Sequence, residues 1–286
     1  MREFSKLGKL AHFCFLHRVT CQKAEYQKII ACICYMINGG EKMSSYYWLF
    51  LGLILVCALF AGSASARVTR TFQGLSDMTV ASRMTGYDTA KRLLATGGLR
   101  DIRVGKVQGH LTDHYHPKKG VVNLSESVYG NPSVAAVAVA AHEVGHAVQN
   151  ERGYFPYKIR QFLVPITNIG SRLALPLVLL GLILDVFVQL TAYRNLGYYL
   201  ALSGVALYGL ATLFALVTLP VEFNASKRAK RMLLKEGIVT SEELPFVEKT
   251  LSAAAMTYVA SLLTSLVYFL RFAVWVLVLF GGRRRR

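Results

Sequence analysis

The chain has 286 residues, with 33 Lys+Arg against 16 Asp+Glu and a formal net charge of +17. Only 17% of its residues are charged, below the roughly 25% of soluble domains, and 53% are apolar. A mean hydropathy of +0.38 excludes a disordered chain and a wholly water-soluble one, so part of the length must be lipid-facing helix. A nucleic-acid interface would need Lys/Arg interleaved with aromatics on a soluble face. Here the basic excess borders apolar runs, as in the four arginines 283–286, and reads as the flanks of membrane helices in a lipid bilayer; no nucleic-acid partner is expected. Four of the five cysteines fall in residues 1–42 and Cys57 lies in an apolar run, which leaves neither a disulfide framework nor a cysteine zinc site.

Residues 1–42 carry seven Lys/Arg and three acids, with no clean period, no span-length apolar run and no signal-cleavage pattern. Met43 then opens Met-Ser-Ser-Tyr-Tyr-Trp onto a long apolar run, so 1–42 is expected to be an extension and Met43 the natural start. Four stretches reach the roughly 17–25 apolar residues of a membrane helix: 46–64, 173–190, 196–219 and 259–280. The expected layout is a first membrane helix over 43–66, a polar region over 67–172, and a helical hairpin over 173–219. A shorter polar segment over 220–258 and a last membrane helix with basic tail over 259–286 complete it. Four spans place both polar regions on one side of the membrane, as a shared site requires.

Within the large polar region, Thr85-Gly-Tyr-Asp88 has the form of a capping box and predicts a helix to about Ala95, stopped by Gly97-Gly98. Ile102, Val104 and Val107 predict a strand, and Val121, Val122 and Leu124 a second. Between them, 109–120 is read as a connection holding His110, Asp113, His114 and His116. Asn131-Pro132 reads as a cap with proline at the first helical position, opening an Ala/Val-rich helix over about 132–150.

That helix carries His142-Glu143-Val144-Gly145-His146. Residues four apart share one helix face, so both imidazoles can grip one metal ion. Glu143, one position on, can reach a metal-activated water without itself being a ligand and take its proton as a peptide carbonyl is attacked. The bland alternative is a solvated helix face. Against it, the motif follows the apolar run 134–141, and its neighbours Val144, Ala147 and Val148 are uncharged. A catalytic zinc takes three protein ligands and keeps an open position. Glu222, directly after the third apolar stretch, is the candidate third ligand, with Pro220 expected to begin a new helix; a carboxylate favoured by that helix's positive end is the alternative.

Three segments, Ala141-His-Glu-Val-Gly-His-Ala-Val-Gln149, Leu111-Thr-Asp-His-Tyr115 and Thr218-Leu-Pro-Val-Glu-Phe-Asn-Ala-Ser-Lys-Arg-Ala229, resemble the YugP family of bacterial membrane neutral zinc metallopeptidases. The resemblance runs from about Met43 to about residue 270. It implies one zinc ion per chain held by His142, His146 and Glu222, with Glu143 as general base. A protein or peptide substrate is expected, with membrane proteins among the candidates. More distantly the chain resembles the HtpX-type membrane proteases, whose second motif is E-x-x-x-D. Ser226 stands where that aspartate would be, so its supporting role does not carry over. The family often has Asp at the position of His116, and no role is assigned to that residue.

In the 111–117 segment, His114 or Tyr115 could donate to a developing oxyanion, and Asp113 could orient a ligating imidazole; a plain polar turn is the alternative. The strands nearby could also take an extended peptide by strand addition. Asp185 and Arg271 sit at similar depth, roughly 18 Å into their spans at 1.5 Å per residue, and are expected to pair. The cluster Lys227, Arg228, Lys230, Arg231 and Lys235 argues for a cytoplasmic site, while 283–286 argue the opposite; an uncharged Met43 start and the HtpX resemblance tip the balance to the cytoplasm. The fold expected is a mainly α, multi-pass membrane protein with four transmembrane helices and a zincin-like unit carrying a small β-sheet. The function expected is peptide hydrolysis as a zinc metalloendopeptidase. Its rivals are a membrane assembly or binding protein with a structural zinc, an intramembrane protease and a transporter.

Overall fold

The computed structural model describes residues 41–187 and 196–281. The extension call on 1–42 therefore lies almost wholly outside the described residues, as do the 191–195 link and the terminal arginines. The described chain is mainly helical: α1 (Glu41–Leu75), α2 (Gly86–Thr96), α3 (Glu126–Tyr129), α4 (Val134–Glu151), α5 (Phe155–Phe187), α6 (Leu196–Lys235) and α7 (Leu244–Gly281). Three strands interrupt it, β1 (Arg103–Val107), β2 (His114–His116) and β3 (Val121–Ser125).

Among the described residues, three helices are long and apolar enough to cross a membrane, within Ser45–Leu75, Leu196–Lys235 and Leu244–Val278. The stretch expected as a span from 173 starts much earlier, because α5 is already helical from Phe155. It consists of Phe155–Gly170 and Arg172–Gly181, bent by 44° and counting as a fourth candidate if the pair is one span. Pro165 and Pro176 lie inside α5, and each removes a helix hydrogen bond, which is the usual cause of such bends. Small residues bring α5 and α6 together: a Cβ on Gly204 would lie 2.6 Å from the Ala174 carbonyl oxygen.

α6 corrects the expectation at Pro220. No new helix begins there; one helix runs unbroken from Leu196 to Lys235 with the proline inside it. Proline costs a helix one N–H and crowds one carbonyl, and an apolar, packed helix tolerates that where an exposed one would break. The Asp185–Arg271 expectation cannot be read, because the Asp185 side chain is outside the described residues. The Arg271 guanidinium lies over the Trp275 ring, 5.3 Å from its centroid.

Outside the span candidates, α4 is the centre of the core. Val134 to Ala138, Ala140, Ala141, Val144 and Ala147 are all fully buried. Their small side chains let α2, β3 and α6 close on the helix from several sides. The start of α4 shifts from the expected cap: Ser133 accepts from the Ala136 N–H at 3.2 Å, and Asn131 Oδ1 instead accepts from Ser133 N–H. Pro132 is used through its carbonyl, which accepts from Val80 N–H at 3.0 Å. The capping box at Thr85 and Asp88 is present and opens α2.

The sheet has the order β1-β3-β2, with β1 parallel and β2 antiparallel to β3. β2 lies within the segment expected to be a connection. Three residues, two of them histidines, are too few to display an alternating pattern, yet Tyr115 turns inward at 9% exposure between its neighbours. Gly120, in the left-handed region at φ 56°, then turns the chain from a short 3-10 helix (Pro117–Lys119) into β3.

α4 and α6 approach each other at backbone contact. A Cβ on Gly145 would lie 2.7 Å from the Ala225 carbonyl oxygen, which no real contact allows. Gly145→Ala should therefore lower stability by about 1–3 kcal/mol by prising the helices apart. Gly62→Ala, with nothing within 4 Å, should not. Thermal midpoints in detergent check this, and an unchanged Gly145→Ala midpoint would contradict the close approach.

Candidate metal centre

His142 and His146 project from adjacent turns of α4, their rings edge to face with centroids 4.7 Å apart. Glu222 reaches them from α6, one turn before the Gly145–Ala225 contact. Its Oε2 lies 3.1 Å from His142 Nε2 and 3.4 Å from His146 Nε2. The three form the one cluster of His, Cys, Asp or Glu among the described residues that could hold a metal ion, with all ligand atoms within 4.8 Å of one another.

The chemistry of this set fits a small cation. A neutral imidazole can present a bare nitrogen, and a carboxylate has only lone pairs to offer. When both imidazoles turn bare nitrogens towards the carboxylate, a proton or a cation has to lie among them. A tetrahedron with bonds of roughly 2.0–2.1 Å has edges of roughly 3.3 Å. The separations of 3.1 and 3.4 Å bracket that edge.

The surroundings hold the three ligand candidates in place. Arg160, on α5, donates to Glu222 Oε1 at 2.8 Å, which leaves Oε2 as the oxygen that faces the imidazoles. Tyr258, on α7, is a further neighbour of Glu222. Ser226 Oγ lies 3.2 Å from His142 Nδ1. Gln149 Oε1 lies 3.0 Å from His146 Nδ1. Glu143 is buried beside this group without belonging to it, and its Oε2 accepts from the Tyr115 backbone N–H at 2.9 Å. Burial pushes its carboxyl from the ordinary 4.5 up to about 7, aided by the negative charges of Glu222 and Asp113 and opposed by His142 and the Tyr115 N–H.

The 111–117 segment is arranged differently from the expectation. Asp113 accepts from the Ser125 N–H at 2.7 Å and the Ser125 hydroxyl at 2.9 Å, tying the approach to β2 onto the end of β3. Burial raises its carboxyl, against the pull of those two bonds. It touches neither imidazole. His114 is exposed, with Nδ1 at 2.9 Å from the Thr112 carbonyl and Nε2 at 3.0 Å from Asn123 Nδ2. Tyr115 is the member of the segment that meets the site, through its backbone rather than its hydroxyl, which bonds Asn150.

Over residues 48–277 the chain matches the protein family described as "Putative neutral zinc metallopeptidase". The chain belongs to that family. It is 41% identical over 235 residues to "Putative membrane protease YugP" of Bacillus subtilis (strain 168), a match spanning 82% of this chain and 98% of the relative. No solved structure matches it significantly. Membership in a zinc peptidase family and the apolar helices together make this a membrane protein for which zinc is the relevant metal.

Family membership and the motif reach only part of what surrounds the cluster. Arg160 and Tyr258 come from α5 and α7, and nothing in their local sequence marks them. Gln149 had a signal, since it follows His146 by three residues on the same helix face, but that spacing is also that of ordinary packing.

The raised Glu143 carboxyl has a consequence for stability. A carboxyl held above its unfolded value keeps its proton longer in the folded chain, so stability falls as pH rises from about 4.5 to about 7. In the metal-free protein roughly 3 kcal/mol of that loss should trace to Glu143. Glu143→Gln should flatten the dependence of the thermal midpoint on pH across the interval. Equal slopes in the two proteins would put Glu143 in contact with water.

Proposed function

We propose that this protein is a zinc metalloendopeptidase of zincin type, built around a single metal ion held by His142 Nε2, His146 Nε2 and Glu222 Oε2. The observation that carries the reading is the convergence of these atoms from two helices beside a buried carboxylate, Glu143, that is not one of them. Bound zinc would supply a Lewis acid that acidifies water and polarises the scissile carbonyl.

The chain's own groups do the rest. With Oε2 held by the Tyr115 N–H, Glu143 has Oε1 free to take the proton of the attacking water and to pass it to the departing amine. Arg160, bound through one nitrogen to Glu222, brings positive charge to the edge of the cluster and is better placed than His114 to steady a developing oxyanion. In the antiparallel ladder, Tyr115 opposes Val122 with its backbone N–H turned towards Glu143 rather than β3. The outer edge of β2 therefore faces the site, and an extended substrate would add along it.

The same contact supports four spans. Glu222 meets residues of α4, so the end of α6 and the 76–154 region must share one side of the membrane. If α1, α6 and α7 cross, that sharing requires bent α5 to cross as well. The basic cluster from Lys227 to Lys235 then favours the cytoplasm as that side.

Purified protein in detergent tests the reading through zinc content and cleavage of an unfolded protein. Glu143→Gln should keep its zinc and lose about 10²–10⁴-fold in rate. Glu222→Ala should lose both zinc and activity. Undiminished cleavage by Glu143→Gln would overturn the assignment, and zinc without cleavage in the wild type would favour a structural metal. An impermeant amine reagent applied to intact cells should leave Lys227 and Lys230 unlabelled, and labelling would reverse the orientation.

A further inference from the structure

Gln149 is the largest polar side chain in α4 to be fully buried, at 0% exposure. A primary amide in that position must find an acceptor for its NH2 and a donor for its oxygen, or its burial costs several kilocalories per mole. It finds them all, and each partner fixes the next. Its Nε2 lies 2.8 Å from the Val221 backbone carbonyl, which can only accept, so that atom is the nitrogen. Its second N–H goes to Asn224 Oδ1 at 3.0 Å. That atom is itself fixed as oxygen, because Arg228 Nε, which can only donate, lies 2.7 Å from it.

The amide oxygen of Gln149 is then the atom 3.0 Å from His146 Nδ1. An oxygen can only accept there, so the proton sits on Nδ1. In the neutral ring, Nε2 is left with a bare lone pair, aimed at the cluster it forms with Glu222 Oε2, 3.4 Å away. His142 has no such constraint. Its Nδ1 meets the Ser226 hydroxyl, which can donate or accept. The tautomer is thus dictated for one of the two imidazoles only.

Val221 and Asn224 flank Glu222 on α6. One side chain therefore sets the proton of the second imidazole and ties it to the backbone that carries the third ligand. We propose that Gln149 is the positioning residue of the metal centre, holding His146 as the Nδ1–H tautomer and locking α4 to α6 at the spacing the ion requires. This rests on the reading of His142, His146 and Glu222 as zinc ligands. It extends the working motif from H-E-x-x-H to H-E-x-x-H-x-x-Q, with Asn224 and Arg228 as the support that keeps the amide from rotating.

Two substitutions separate positioning from simple core filling, because they order the variants oppositely. Gln149→Leu fills the space and suits a buried site, but offers nothing to His146. Gln149→Glu keeps an acceptor for Nδ1–H, yet buries a charge against the Val221 carbonyl. Core filling alone predicts that Leu is the milder change in every measurement. Positioning predicts that Leu is milder for the thermal midpoint of the metal-free protein and harsher for zinc.

The experiment is zinc affinity by chelator competition on the full chain in detergent, well below the midpoint of each variant, with the visible spectrum of the cobalt-substituted protein as a report on ligand geometry. Gln149→Leu should lose about 10–100-fold in zinc affinity and show an altered cobalt spectrum. Gln149→Glu should bind zinc more tightly than Gln149→Leu despite a lower midpoint. Asn224→Ala, at a half-buried position and so readily folded, should lose less than Gln149→Leu. Zinc affinity of Gln149→Leu equal to wild type, or an affinity order that follows the midpoints, would overturn the proposal while leaving the metal site intact. Wild type that binds no zinc would overturn both.

Discussion

The approach of α4 to α6 at Gly145 and Ala225 is the constraint on which the rest of this structure depends. Two imidazoles spaced by one helical turn can grip an ion only weakly on their own. A third donor has to come from a different element and be held to within a few tenths of an ångström. Glu222 is carried by a helix that continues from an apolar stretch of membrane-spanning length, and His146 by a helix buried in the polar region. Bringing these two backbones into direct contact requires a position with no side chain, and Gly145 lies within the motif itself. The Ala-rich run before the motif serves the same end, since larger residues from 134 to 141 would hold every neighbour further away.

Around that contact the structure solves an electrostatic problem. Two carboxylates, Glu143 and Glu222, lie buried beside each other, which would be costly for two free charges. They are treated differently. Glu222 is bonded by Arg160 and faces two imidazoles, a setting for a permanent anion. Glu143 has a single backbone N–H and a carboxyl raised by burial, a setting for a proton that comes and goes. Environments that push two neighbouring acids apart are what the acid–base role proposed for Glu143 would call for.

Much of this was legible in the sequence, for reasons that can be named. The helical period alone places His142 and His146 on one face, and the lack of other acids just after a span singles out Glu222. The capping box at Thr85 and the strands around Val104 and Val122 follow from local rules that the structure obeys. Where reading failed, two local rules conflicted or none applied. Proline begins helices in water but is tolerated inside apolar ones, so Pro220 was read as a start when it lies mid-helix. β2 is too short to alternate. Asp113 has the right chemistry to orient an imidazole, but its partner Ser125 lies across a turn that the sequence does not reveal. Arg160 and Tyr258 owe their place to helix packing alone.

X-ray absorption at the zinc edge of the purified wild-type protein would test the central claim most directly. The account predicts a four-coordinate ion with imidazole scattering from two histidines, oxygen in the remaining positions and no sulfur, and loss of that signature in Glu222→Ala. Sulfur ligation, or a histidine signature that survives Glu222→Ala unchanged, would contradict it.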